Sequence, residues 1–125
     1  MKVTIASPAG GQVPLDPGSL ADNFMTESTR RFHADEAAMA ALGASKELRG
    51  LDLSEYTMLY LAGGHGVYKD FNEGGGTKAA IEAFVSRGLV VGSDCHGASA
   101  PSRCVCAFFT AFSTLPNSMR KKRSA

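Results

Sequence analysis

A chain of 125 residues, 44% apolar and 20% charged, has the composition of one globular domain and excludes a disordered or collagen-like polymer. Its formal charge of +1 supplies no drive toward nucleic acid or an anionic membrane, so neither is expected as a partner. No apolar run reaches the length of a bilayer span. The three unevenly spaced cysteines, Cys95, Cys104 and Cys106, suit neither a disulfide framework nor a zinc site; reduced thiols in a cytoplasmic protein, without metal or organic cofactor, are expected.

Residues 1–6, with Val3 and Ile5 apolar, read as a strand entered at once, with no signal peptide ahead of it. Residues 7–19 hold Pro8, Gly10, Gly11, Pro14, Pro17 and Gly18, a density of turn formers that rules out helix. A helix is expected over 35–42: Asp35 and Glu36 suit its positive N-terminal end, Ala38 and Leu42 share a face, and Gly43 takes the left-handed stop. The nearly unbroken apolar run 56–62 reads as a strand covered on both sides, and it ends in Gly63-Gly64-His65-Gly66.

A second helix is expected over 77–87, with Thr77 as N-cap, Ile81, Phe84 and Val85 as its core stripe and Gly88 as its stop. A strand over 89–92 follows directly. This alternation predicts an α/β fold, a three-layer sandwich on a parallel sheet, whose chemistry collects beyond the carboxyl ends of the strands. After residue 98 the pattern decays. Pro101 interrupts the helix that should follow, 104–109 is an apolar patch without period, and the polar end carries Arg120-Lys121-Lys122-Arg123, read as a solvated tail. The domain is therefore placed at 1–113 and the tail at 114–125.

Both strand ends carry a glycine-histidine motif. Ser93-Asp94-Cys95-His96-Gly97-Ala98, directly after Leu89-Val90-Val91-Gly92, reads as a nucleophile on a strand-to-helix turn, where backbone N–H groups can surround an oxyanion. Cysteine suits that place because its thiolate is a strong nucleophile near neutral pH. Burial of Cys95 as a small hydrophobe is the competing reading. His96 would orient or deprotonate the thiol, whereas Asp94 would disfavour the thiolate if it points inward. Gly63-Gly64-His65-Gly66 lacks the spacing of a nucleotide-binding loop. It is read as a tight turn whose bare backbone approaches the sulfur, with His65 as a pocket wall. His33, in a polar stretch, is expected to be exposed.

Gly63-Gly64-His65-Gly66 followed by Cys95-His96-Gly97 resembles the ThiJ/PfpI superfamily, of class I glutamine amidotransferase-like, flavodoxin-like fold. Ile5-Ala6-Ser7-Pro8-Ala9-Gly10-Gly11, Pro14-Leu15-Asp16-Pro17 with Ser19, Thr29-Arg30-Arg31-Phe32 and Tyr68-Lys69-Asp70-Phe71 are similar to its glyoxalase III and stress-chaperone branch. The resemblance implies Cys95 as nucleophile, His96 as its partner, oxyanion donors at Gly64 and His96, and a homodimer. It implies a small carbonyl substrate and a cofactor-free, glutathione-independent conversion of methylglyoxal to lactate. A chaperone-like binding module or a non-catalytic fragment is the alternative. A glutaminase is a further one, disfavoured because His96 follows Cys95 directly.

Three departures accompany the resemblance. The family's acidic residue, usually a glutamate on a helix after a first strand, has no counterpart, since Met1 begins at what resembles the second strand. Asp94 stands where the family has a small or apolar residue. Of the family's closing segment only Thr110-Ala111-Phe112-Ser113 has a likeness here. The codons of 115–125, read in a shifted frame, permit the acidic run that family members place after that motif. These departures predict a chain shortened at both ends and impaired in turnover unless Asp16 or Asp70 replaces the missing acid.

Overall fold

The computed structural model describes residues 2–72 and 76–103. The fold is α/β, with two parallel strand pairs and four α-helices among the described residues. Ala6–Ser7 (β1) runs beside Lys46–Glu47 (β2). Met58–Leu61 (β3) runs beside Val90–Ser93 (β4), in register from Met58 opposite Val90 to Leu61 opposite Ser93. The helices are Glu27–Ala34 (α1), Glu36–Gly43 (α2), Val67–Asn72 (α3) and Thr77–Ser86 (α4).

The core forms where α4 meets β3 and β4. Ala80, Ile81 and Phe84 recur at the spacing of one helical face, and all three are buried, as are Leu61 and Ala100. Leu59, Phe71, Val85 and Val91 pack around Leu61, Ile81 and Ala100. The stop of α4 is the expected one. Gly88 adopts φ 67, and the N–H groups of Leu89 and Gly88 donate to the carbonyls of Phe84 and Val85, each at 2.9 Å, the double bond pattern that closes a helix on a left-handed glycine. The start differs by one residue. Gly76, at φ 86, holds the cap position, and Thr77 is the first helical residue, buried with its hydroxyl unbonded among the described residues. The tight approach to Arg49, whose Cγ would stand 2.7 Å from a Cβ on residue 76, demands glycine there.

Arg87 ties α4 to the chain entering β3. Its guanidinium donates to the carbonyls of Leu53 at 2.7 Å and Ser54 at 3.2 Å, and it lies 5.8 Å from the centre of the Phe84 ring. Charge-assisted bonds to carbonyls at a helix end carry more than neutral ones, less where solvent screens them. Arg87→Met is expected to lower unfolding stability by about 1–2 kcal/mol in urea titration. Asp52 caps the 3₁₀ turn Leu53–Glu55, accepting from the Ser54 N–H at 2.9 Å. Hydrogen bonds from the Ser54 side chain and backbone, then the Arg87 charge, hold its carboxyl below the usual carboxylate value. A depressed folded-state value means stabilisation that is present above the ordinary carboxylate pKa and is lost as pH falls through the lowered one. Asp52→Asn should therefore flatten the decline of stability as pH falls below the ordinary carboxylate value, read from denaturation midpoints.

The N-terminal segment departs from its expected place in one continuous sheet. Only Ala6–Ser7 is strand, and it joins β2 rather than β3. The reason lies in where its polar groups bond. Lys46 donates to the Ile5 carbonyl at 2.9 Å, Gly11 and Ser45 exchange backbone bonds at 2.8 and 3.0 Å, and the Ser7 and Ser45 hydroxyls meet at 2.8 Å. Gly10, at φ 70, passes so near β2 that a Cβ would stand 2.9 Å from the Glu47 nitrogen. The charged pair Lys46-Glu47 gave no strand pattern.

Other expectations shift in detail. The helix over 35–42 is α2, capped by Asp35 accepting from Ala38 N–H at 3.0 Å, but it runs through Gly43 and is closed by Ala44. Pro17–Leu20 forms a short 3₁₀ turn that begins in the loop 7–19 and ends one residue beyond it, with Asp16 as its cap. Helix α1, polar and capped by Thr26, and helix α3 were not expected. His33 is half-buried rather than exposed. Among the described residues the strand over 56–62 is covered on one side: Leu59 and Leu61 turn inward, while Met58 and Tyr60, with Val90 on the neighbouring β4, are 49%, 58% and 61% exposed. Helix α4 covers one face, and apolar residues at the outward positions hid the alternation. Among the described residues no helix is long and apolar enough to cross a membrane. Cys104, Cys106, the patch 104–109, the 1–113 limit and the tail 114–125 lie outside the described residues.

Candidate functional site

Parallel pairing sets the ends of β3 and β4 side by side, Leu61 opposite Ser93, and both glycine-histidine motifs leave from there. Beyond β4 the chain turns sharply. Asp94 donates its N–H to the Leu61 carbonyl at 3.3 Å, and Gly97 donates to the Asp94 carbonyl at 2.8 Å. Between them Cys95 sits at φ 45, the one non-glycine residue with positive φ among those described. A side chain in that region costs on the order of 1–2 kcal/mol, and such strain concentrates where a reactive group must be presented. Cys95 is exposed, so the buried-hydrophobe reading fails. A 3₁₀ segment, Cys95–Arg103, follows instead of an α-helix, and it runs through Pro101 rather than being interrupted there.

The glycines of the site have separate reasons. A Cβ on Gly63 would stand 2.7 Å from the Cys95 Cβ and 3.0 Å from the Asp94 carbonyl oxygen, so only a bare backbone can pass beside the cysteine. Gly97 is buried, and a Cβ there would collide with the Leu61 carbonyl oxygen. Gly64 needs its φ of 111. At Gly66 a Cβ would meet open space, and its place in the site rests on the turn alone.

The Cys95 Sγ lies 3.2 Å from Nδ1 of His96, so the neighbouring imidazole does turn back to the thiol. The His65 ring lies against His96, centroids 4.6 Å apart and tilted by 45°. His96 is half-buried; His65 and Asp94 are exposed. The Asp94 carboxylate leans on the Gly63 backbone, its Oδ1 3.1 Å from where a Cβ would be. Neither candidate for the missing acid is brought to the sulfur by a hydrogen bond. Asp16 accepts from the Gly18 N–H at 2.9 Å within its own turn. Asp70 is exposed on α3, the helix that packs on the Cys95–Arg103 segment. That helix was missed, although Val67 and Phe71 at a spacing of four were its signal.

A thiol in hydrogen-bond reach of an imidazole can pass it a proton and attack an electrophilic carbon. Among the described residues no group of three or more His, Cys, Asp or Glu side chains is arranged to hold a metal ion.

Neither a scan of protein-family profiles nor a search of curated proteins gives a match. Two solved structures share the fold. The Rapid Encystment Protein 24 KDa (REP24) of Francisella tularensis is 31% identical, with a TM-score of 0.66 over 73% of this chain. A protein designated APC35852 is 28% identical, with a TM-score of 0.65 over 82% of this chain. The match spans 40% of the first protein's length and 42% of the second's.

Proposed function

We propose that this protein is a cysteine-dependent enzyme of the ThiJ/PfpI type acting on a small carbonyl compound, with glutathione-independent conversion of methylglyoxal to lactate as its reaction. The observation that carries the reading is the left-handed Cys95 at the end of β4, its sulfur 3.2 Å from His96 Nδ1. His96 takes the thiol proton, and the thiolate adds to the aldehyde carbon to form a hemithioacetal. The proton on that carbon then moves to the neighbouring carbonyl carbon through an enediol, leaving a thioester of lactate. Water hydrolyses the thioester and restores the thiol. Substrate plus water equals lactate, so no redox partner is needed. Backbone N–H groups at Gly64 and His96 serve the oxyanion.

General acid–base help is worth on the order of 10²–10⁴ in rate. With the Asp16 carboxylate engaged in its own turn, proton transfer falls on His96. Turnover is expected to be slow beside hemithioacetal formation, which intact-mass spectrometry detects as an adduct on Cys95. In peptide mapping, iodoacetamide should label Cys95 ahead of Cys104 and Cys106. Lactate formation should vanish in Cys95→Ala; lactate formed undiminished by that variant, or preferential labelling of another cysteine, refutes the reading. A reduced thiol of this kind fits the cytoplasm.

The exposed Met58, Tyr60 and Val90 favour a second reading, a chaperone-like or self-associating module. Suppression of aggregation of a client protein that survives Cys95→Ala but fails in Tyr60→Lys would support it.

A further inference from the structure

His96 follows Cys95 directly on a strained turn, and adjacent side chains ordinarily diverge. Its ring nevertheless returns to the sulfur, with Nδ1 at 3.2 Å. A half-buried imidazole has other rotamers open to it, so something outside the turn must hold this one. The ring in contact with it is His65, at 4.6 Å and 45°, inside the range at which aromatic rings pack.

The local chain explains how His65 reaches that place. Gly63 lets the backbone leave β3 against Cys95, where a side chain would not fit, and Gly64 supplies the φ of 111 that redirects it. His65 is then anchored from the far side, its carbonyl accepting from the Tyr68 N–H at 3.3 Å at the start of α3. Helix α3 in turn packs on Cys95–Arg103, the segment that carries His96. Two connections, one through β3 and one through α3, thus lock the two imidazoles together.

We infer that His65 is a positioning residue: its imidazole packs on His96 and holds Nδ1 of that ring against the Cys95 sulfur. This rests on the reading of Cys95 as the nucleophile. In this role His65 acts through His96, the ring it packs on. Packing between two rings is worth enough to change the population of the reactive rotamer by about three- to tenfold.

The test is the second-order rate of Cys95 alkylation by iodoacetamide in the full chain, followed by peptide mapping, beside kcat and KM for lactate formation from methylglyoxal. His65→Ala should slow alkylation about three- to tenfold and lower kcat with little change in KM, with its melting curve unaltered. His65→Phe, which keeps a ring without its nitrogens, should restore most of the rate. His65→Ala combined with His96→Ala should be no slower than His96→Ala alone, because the ring acts only through His96. The inference is overturned if His65→Ala alkylates at the wild-type rate, if His65→Phe is as slow as His65→Ala, or if the two alanine effects multiply. Failure of the activity is distinguishable. The expected alkylation pattern without lactate sinks the proposed reaction and leaves His65 in its role; lactate formation untouched by His65→Ala sinks the role alone.

Discussion

Phe84→Ala should lower the stability of the protein by about 3–5 kcal/mol, the usual cost of emptying an aromatic site in a core that cannot collapse. Phe84 is 1% exposed, lies on the inner face of α4 next to Ile81, and is overlaid by Arg87. Domains of this size hold about 5–15 kcal/mol in all, so the variant sits near the edge of folding. Its urea midpoint should fall by about 2–3 M, taking about 1.5 kcal/mol per M for the slope. Phe24 is the internal contrast. It is 65% exposed, and Phe24→Ala should stay within about 0.5 kcal/mol of the parent. Equal effects at the two positions would mean that the packing of α4 on β3 and β4 is not what holds the fold.

Gly97→Ala should couple a loss of stability to a loss of thiol chemistry. The new Cβ would strike the Leu61 carbonyl oxygen, which already accepts from Asp94 N–H. Relief requires the turn to move away from β3, and that movement carries Cys95 and His96 with it. Overpacking against backbone typically costs about 1–3 kcal/mol. A displacement of the sulfur by even a fraction of an ångström from its imidazole should reduce Cys95 alkylation and lactate formation by at least about tenfold. Gly43→Ala is the control. Position 43 lies within α2 with open space around it, and alanine there should stabilise the protein by about 0.5–1 kcal/mol while leaving the thiol untouched. A Gly97→Ala protein with normal thiol reactivity would separate the turn from the chemistry.

The parts of this molecule legible before folding are those decided within a few residues. The stripe of Ile81 and Phe84, the glycine stop at Gly88 and the acidic start of α2 depend on groups one turn apart, so periodicity and helix-end chemistry were sufficient to find them, although Asp35 proves to be the cap rather than the first helical residue. The same holds for β3 and β4 and for the placement of both glycine-histidine motifs at their ends. Helices α1 and α3 were missed because the first is mostly polar, with Phe32 and Ala34 too few to show a stripe, and the second is too short for a period to stand out. The candidate site was legible as a set of residues but not as an arrangement.

What the sequence determined by itself, then, is the α/β class, the places of α2, β3, α4 and β4 along the chain, and the choice of Cys95, His96 and their flanking glycines as candidates, since each follows from local sterics and hydrogen bonding. What only the tertiary structure decided is everything that depends on a partner far along the chain. β1 joins β2 because Ser7 finds Ser45, 38 residues away. Among the described residues one face of β3 stays open, because α4 covers the other. Gly63 and Gly97 are required by the backbone and side chain of a neighbouring strand end, and His65 gains its place against His96 because β3 and β4 pair in parallel. Such contacts are set by the packing of whole elements, and no local pattern encodes which distant surface an element will meet.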